Sequence, residues 1–211
     1  MMSKPAPFPV QRRVRAGVLA IAVAALTSLP AAAEQLSLNA LSAYLNALQT
    51  AQGKFTQING DGTIATGQIL IKRPGRVRFE YDPPEQTLVI AGGGAVAIFD
   101  KKAGPTPETY PLNKTPLSLI LAKTVDLAQA KMVVGHSYDG TATTVTAQDP
   151  DHPEYGNIQL KFTDSPVELR QWVINDEGGN STTVILGELR QGGSLGDGLF
   201  NIDLATERPK R

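Results

Sequence analysis

The chain has 211 residues, with 20 basic against 20 acidic side chains, two histidines and no cysteine. Lacking a thiol, it can form no disulfide and no lipobox acyl anchor, so its core is expected to hold by packing alone. Residues 1–33 carry four basic and no acidic groups, which leaves 16 against 20 in the remainder. That balance argues against nucleic-acid binding and against stable docking on an anionic membrane, since both need clustered Lys and Arg.

The N-terminus reads as a cleaved signal peptide. Lys4, Arg12, Arg13 and Arg15 form a positive region and Ala16–Leu29 an apolar run, and Ala31-Ala32-Ala33 fits the small-residue cleavage pattern. An apolar run of 14 residues is short of the roughly 20 that a spanning helix needs. The expectation is Sec export to the periplasm, because the residues flanking Arg12-Arg13 match a twin-arginine signal poorly. Residues 1–33 are then removed and residues 34–211 fold as one domain.

Leu38, Leu41, Leu45 and Leu48 recur at helical spacing behind Ser37, a good cap, and Gly53 is a candidate terminator, so the spacing predicts a helix over 38–51. The texture then turns to short β runs. Asn59-Gly60-Asp61-Gly62 joins Lys54–Ile58 to Thr63–Arg73 as a hairpin, and Pro74-Gly75 leads into Val77–Tyr81. Gln86–Ala91 and Ala95–Asp100 flank Gly92–Gly94 as a further hairpin. A proline-rich loop, Gly104–Pro111, precedes a helix that Thr115 caps with Pro116 at its first position, and Val125–Ala130 is a candidate third helix. Strands are expected again at Lys131–Ser137, Thr141–Gln148, Asn157–Thr163, Glu168–Asn175 and Ser181–Leu189. Leu199–Leu204 reads as an edge strand. About ten or eleven strands joined by turns imply a mainly β fold, an antiparallel sheet curled into a barrel or half-barrel. The short apolar helix Pro116–Ala122 is stable only when packed. With the first helix it either lids an apolar space or completes a filled core.

The motifs of covalent chemistry fail on inspection. Gly135-His136-Ser137-Tyr138-Asp139 has Asp139 where a nucleophile elbow needs glycine, and a hairpin follows it instead of a helix. Two histidines leave little for acid–base or metal work, and Asp149, Asp151, His152 and Glu154 read as a solvated loop. Gly92–Gly94 lacks the lysine and helix of a phosphate loop and is a turn. No cofactor and no metal are expected, nor is the chain expected to be an enzyme.

The most informative stretch is Gly67–Pro84. Period-two alternation puts Ile69, Ile71 and Arg73 on one strand face. Two aliphatics and a cation pointing the same way are in conflict, since a buried guanidinium needs hydrogen-bond partners. Arg76 and Arg78 fall on the opposite face and are expected in solvent or in a docking patch.

Phe55-Thr56-Gln57, then Gly67 to Ile71-Lys72-Arg73-Pro74, then Arg78-Phe79-Glu80-Tyr81 and Pro84, then Tyr110 and Thr115-Pro116-Leu117 follow in an order that resembles the periplasmic outer-membrane lipoprotein carrier (LolA) family. The resemblance implies an incomplete barrel of about 11 strands, closed by short helices that lid or plug an apolar cavity. It implies a monomer that accepts acylated lipoproteins from an inner-membrane ABC complex and delivers them to an outer-membrane receptor or to the membrane itself. It makes Arg73 the latch of the lid, bonded to helix carbonyls in the closed, empty form. The acyl-binding wall would then be Ile69, Ile71, Val77, Phe79, Tyr81, Leu88 and Ile90 from the strands. Leu41, Leu45, Leu48, Leu117, Ile120 and Leu121 would join it from the helices, with ordinary core packing as the alternative for each. Val77 stands where an aromatic is common, and Ala91-Gly92-Gly93-Gly94 replaces the usual Asp-Gly turn. A lipid-binding or lipid-sensing protein on the same scaffold is the rival function.

Overall fold

The computed structural model describes residues 34–104 and 106–206, so the expected signal peptide lies outside the described residues. Ser37 opens the first helix as its sequence predicts. Its Oγ accepts the Ala40 N–H at 3.2 Å, and α1 runs Leu38–Ala47. The helix ends before the predicted 51 because the backbone from Thr50 onward pairs with the next strand, residue for residue from Thr50–Lys72 to Ile58–Ile64. Gly53 therefore sits inside a strand and terminates nothing. A nine-residue ladder with both neighbours in place overrides the leucine spacing.

Twelve strands follow among the described residues: β1 Thr50–Ile58, β2 Ile64–Lys72, β3 Arg76–Tyr81, β4 Leu88–Gly92, β5 Ala95–Phe99, β6 Glu108–Pro111, β7 Val133–Tyr138, β8 Thr143–Gln148, β9 Asn157–Asp164, β10 Val167–Asn175, β11 Ser181–Leu186 and β12 Arg190–Gln191. Their order is β6-β5-β4-β3-β2-β1-β11-β10-β9-β8-β7, with β12 added to β1, and the paired neighbours run antiparallel. β6 and β7 end the order without pairing to each other, so the barrel is open, as the family resemblance implies. The sheet curls strongly. Phe79 on β3 and Trp172 on β10 are four strands apart in that order, yet their ring centroids lie 6.2 Å from each other, edge to face.

Three other expectations need correction. Glu108–Pro111, assigned to loop, is the edge strand β6; proline is tolerated there because an edge strand can spare an N–H. Val125–Ala130 is not helical: side chains of α1 take up both backbone groups of Val125 and the Leu127 N–H, which holds its start extended. Leu199–Leu204 is not a strand: a 3₁₀ turn, Asp197–Phe200, leads into α3, Ile202–Thr206. The remaining helix, α2, spans Leu117–Leu121 behind a 3₁₀ turn at Leu112–Lys114. Its cap residue is Pro116, whereas the Thr115 hydroxyl turns back to donate to the Leu112 carbonyl at 2.8 Å.

The concave face of the sheet, α1 and α2 enclose one apolar cluster in which Leu41, Leu45, Ile69, Ile71, Leu160 and Phe162 are almost wholly buried. A second, smaller cluster lies on the convex face. There Ile90 and Ala97 are fully buried, and Phe200 from the C-terminal segment approaches so closely that a Cβ on Gly92 would stand 2.1 Å from its carbonyl oxygen.

Candidate functional site

The three-residue turn between β2 and β3, Arg73-Pro74-Gly75, reaches across to α2. The last carbonyls of a helix have no partner within it, and here the turn supplies them. The Gly75 N–H donates to the Leu121 carbonyl at 2.8 Å, and Arg73 Nη2 donates to the Ala122 carbonyl at 2.5 Å. Gly75 has φ +72°, the left-handed conformation that glycine adopts without strain. A cation at this end also suits the partial negative charge there. Arg73 is 5% exposed, and desolvation lowers the pKa of its guanidinium. Its backbone N–H is tied to the Gln49 carbonyl just beyond α1 at 2.8 Å. One residue thus joins β2, α1 and α2.

Sequence reasoning missed the polar side of α1. Ser42 and Asn46, one helical turn apart, take up the extended segment that follows α2. Asn46 Nδ2 donates to the Val125 carbonyl at 2.8 Å, while its Oδ1 accepts the Val125 N–H at 2.9 Å and stands 3.5 Å from Arg73 Nη2. Ser42 Oγ accepts the Leu127 N–H at 2.9 Å and donates to the Leu38 carbonyl at 2.7 Å. The signal was present: two small polar residues at i, i+4, each next to a leucine of the buried Leu41–Leu45 stripe.

Of the expected wall, Ile69, Ile71, Val77 and Phe79 are buried on the concave face with Leu41, Leu45, Leu48, Ile120 and Leu121. Leu117 and Tyr81 are half-buried beside them. Burial pushes the Tyr81 phenol up to about 12, and its hydroxyl donates to Gln57 Oε1 at 2.6 Å. Leu88 and Ile90 are placed differently. In register Phe79 opposes Val89 and Val77 opposes Ala91, so Val89 and Ala91 share the concave face while Leu88 and Ile90 point to the convex one. Arg78 is likewise not in solvent. It is 7% exposed, paired with Glu80 and bonded to the Leu199 carbonyl at 3.0 Å. Arg76 is paired with Asp197 at 2.6 Å.

Beside α2 the cluster gives way to open space. A cleft of about 260 Å³ lies between the Asn113–Leu119 segment and the ends of β8–β10, with Leu119, Met132, Ala147, Ile158 and Ile174 among its apolar walls. It lies beside α2, a helix of five residues.

The profile described as outer membrane lipoprotein carrier protein LolA matches residues 46–203, which takes in α1's end, the Arg73-Pro74-Gly75 turn, α2 and the sheet. The chain belongs to the LolA family. An outer-membrane lipoprotein carrier protein of Azotobacter vinelandii is 23% identical over 192 residues, covering 87% of this chain and 92% of that one. One from Coxiella burnetii is 30% identical over 132 residues, covering 58% of this chain and 63% of its own length. Among solved structures, a LolA superfamily protein of Nitrosomonas europaea is similar with TM-score 0.43 and 10% identity, covering 80% of this chain and 99% of that one. In this LolA-family chain the Gly92–Gly94 departure has a structural reason. Gly93 and Gly94, both at positive φ, make the two-residue β4–β5 turn, and Gly92 admits the Phe200 backbone.

Proposed function

We propose that the mature chain, residues 34–211, is a periplasmic carrier that shields the acyl chains of lipoproteins between an inner-membrane ABC transporter and the outer membrane. The need is large. Each exposed methylene costs roughly 0.8 kcal/mol, so three chains of about 14 methylenes would cost on the order of 30 kcal/mol in water. A carrier has to offer apolar surface and still let go of it.

The observation that carries this reading is the Arg73 turn, which closes α2 over the apolar cluster by two hydrogen bonds to its last carbonyls. In this mechanism cargo enters at the cleft beside α2 and lifts the helix, wedging between it and the Ile69–Phe79 wall. The Arg73 bond to Ala122 breaks as it does so. A hydrogen bond to a charged group contributes about 1.5–3 kcal/mol, so its loss offsets part of the binding energy and keeps the grip loose. Release to an acceptor re-forms the latch. The role of the wall passes from Leu88 and Ile90 to Val89 and Ala91.

Mass spectrometry of the protein isolated from periplasm tests the proposal: co-purified triacylated or diacylated proteins are expected. Free phospholipid in their place would favour the rival lipid-binding function. In a transfer assay Arg73→Leu is expected to take up lipoprotein normally and to hand it off at least tenfold more slowly. Normal hand-off by that variant would remove the latch from the mechanism.

A further inference from the structure

Residues 190–206 cross the convex face as a belt. β12 pairs with Ala51 and Gln52 of β1, and the Gly192 N–H donates to the Thr50 carbonyl at 2.9 Å. Behind β2, Lys72 Nζ donates to the Leu195 carbonyl and to Asp197 Oδ1, each at 2.6 Å. Behind β3, Arg76 Nη1 donates to the same Asp197 oxygen at 2.6 Å, and Phe200 then closes over Gly92 and the convex cluster.

Lys72 and Arg76 are register partners at the last rung of the β2–β3 hairpin. They bracket Arg73-Pro74-Gly75, the turn that holds α2. Like charges directly opposite on antiparallel strands push the strands apart. A single carboxylate on the convex face bridges both and offsets one of the two positive charges, and its pKa is lowered chiefly by the hydrogen bond from Lys72. The belt and the latch therefore meet at the same three-residue turn, one from outside the sheet and one from inside.

We propose that Asp197 is a positioning residue for the Arg73 latch: by bridging Lys72 and Arg76 it offsets their repulsion and holds the turn in the geometry that reaches the carbonyls of α2. The inference rests on reading that turn as the latch, but its test needs no cargo. The Gly75 amide, bonded to Leu121, reports the latch, and amides of β8 and β9 report the remainder of the fold. In Asp197→Asn, Gly75 is expected to exchange about two- to fivefold faster, with β8 and β9 unchanged, in keeping with the modest worth of an exposed ion pair. Adding Arg76→Gln to Asp197→Asn removes the repulsion and is expected to return Gly75 towards the parent rate. Unchanged Gly75 exchange in Asp197→Asn overturns the proposal, as does acceleration shared equally by β8 and β9. Failure of Arg76→Gln to rescue overturns it as well. A chain that carried no lipoprotein at all could still pass this test, and a working carrier could fail it.

Discussion

Arg73 brings a buried charge into an apolar cluster and uses only part of its donor set. Nη2 is bonded, while Nε and Nη1 are buried and meet no protein acceptor. A buried donor left unmade costs about 1–3 kcal/mol, so the Arg73 guanidinium is a local destabilisation of the empty protein. Replacing a buried ion by an apolar residue of similar volume is often neutral or stabilising. Arg73→Leu is accordingly expected to melt at or above the parent temperature, measured by calorimetry on the empty protein. Asn46 is the opposite case, because its amide satisfies both backbone groups of Val125. Asn46→Ala is expected to lose about 1–3 kcal/mol, read as a lower urea midpoint with an unchanged slope.

At the scale of elements, the two faces of β4 differ: Leu88 and Ile90 face the convex side, and Val89 and Ala91 face the cluster that the proposed function assigns to cargo. Ile90→Ala opens a cavity in the convex cluster under Phe200 and is expected to cost about 2–4 kcal/mol while leaving acyl affinity unchanged in a fluorescent fatty-acid titration. Val89→Ala is expected to weaken that binding with a smaller loss of stability. The same strand marks how far the sequence could be read. β2 and β3 alternate cleanly enough to be oriented, Arg73 included. Leu88-Val89-Ile90-Ala91 is apolar at every position because the belt covers its outer face, so alternation carries no information there. The belt itself was invisible: Leu199–Leu204 has strand-like apolar spacing, but it rests on Gly92 and on Arg78, both distant in the chain. Val125–Ala130 misled for a related reason, since Asn46 and Ser42 take up the backbone groups of Val125 and the Leu127 N–H from a distant helix. Gly53, read as a helix stop, answers instead to the ladder between β1 and β2.

For the molecule as a whole, the titrating groups set a window of stability. Burial raises the Tyr81 phenol to about 12. A group protonated more tightly when folded contributes fully below its unfolded value near 10 and loses that contribution as pH rises towards 12. The thermal midpoint is therefore expected to fall above pH 10, and Tyr81→Phe to flatten that fall. At the other end, carboxylates at the turns are held low: Asp61 chiefly by the Thr63 hydroxyl, Asp139 by the Ala142 amide and Asp176 by the Asn180 amide. Their contributions are present above the ordinary carboxylate value near 4 and vanish as pH falls through the folded values, so acid melting should begin below pH 4. The curl that brings Phe79 against Trp172 has a practical consequence. The chain holds one tryptophan, 2% exposed, on the wall opposite the latch strand. Its indole is a resident dye: water admitted beneath a raised α2 would redden its emission, and hydrocarbon filling the same space would not.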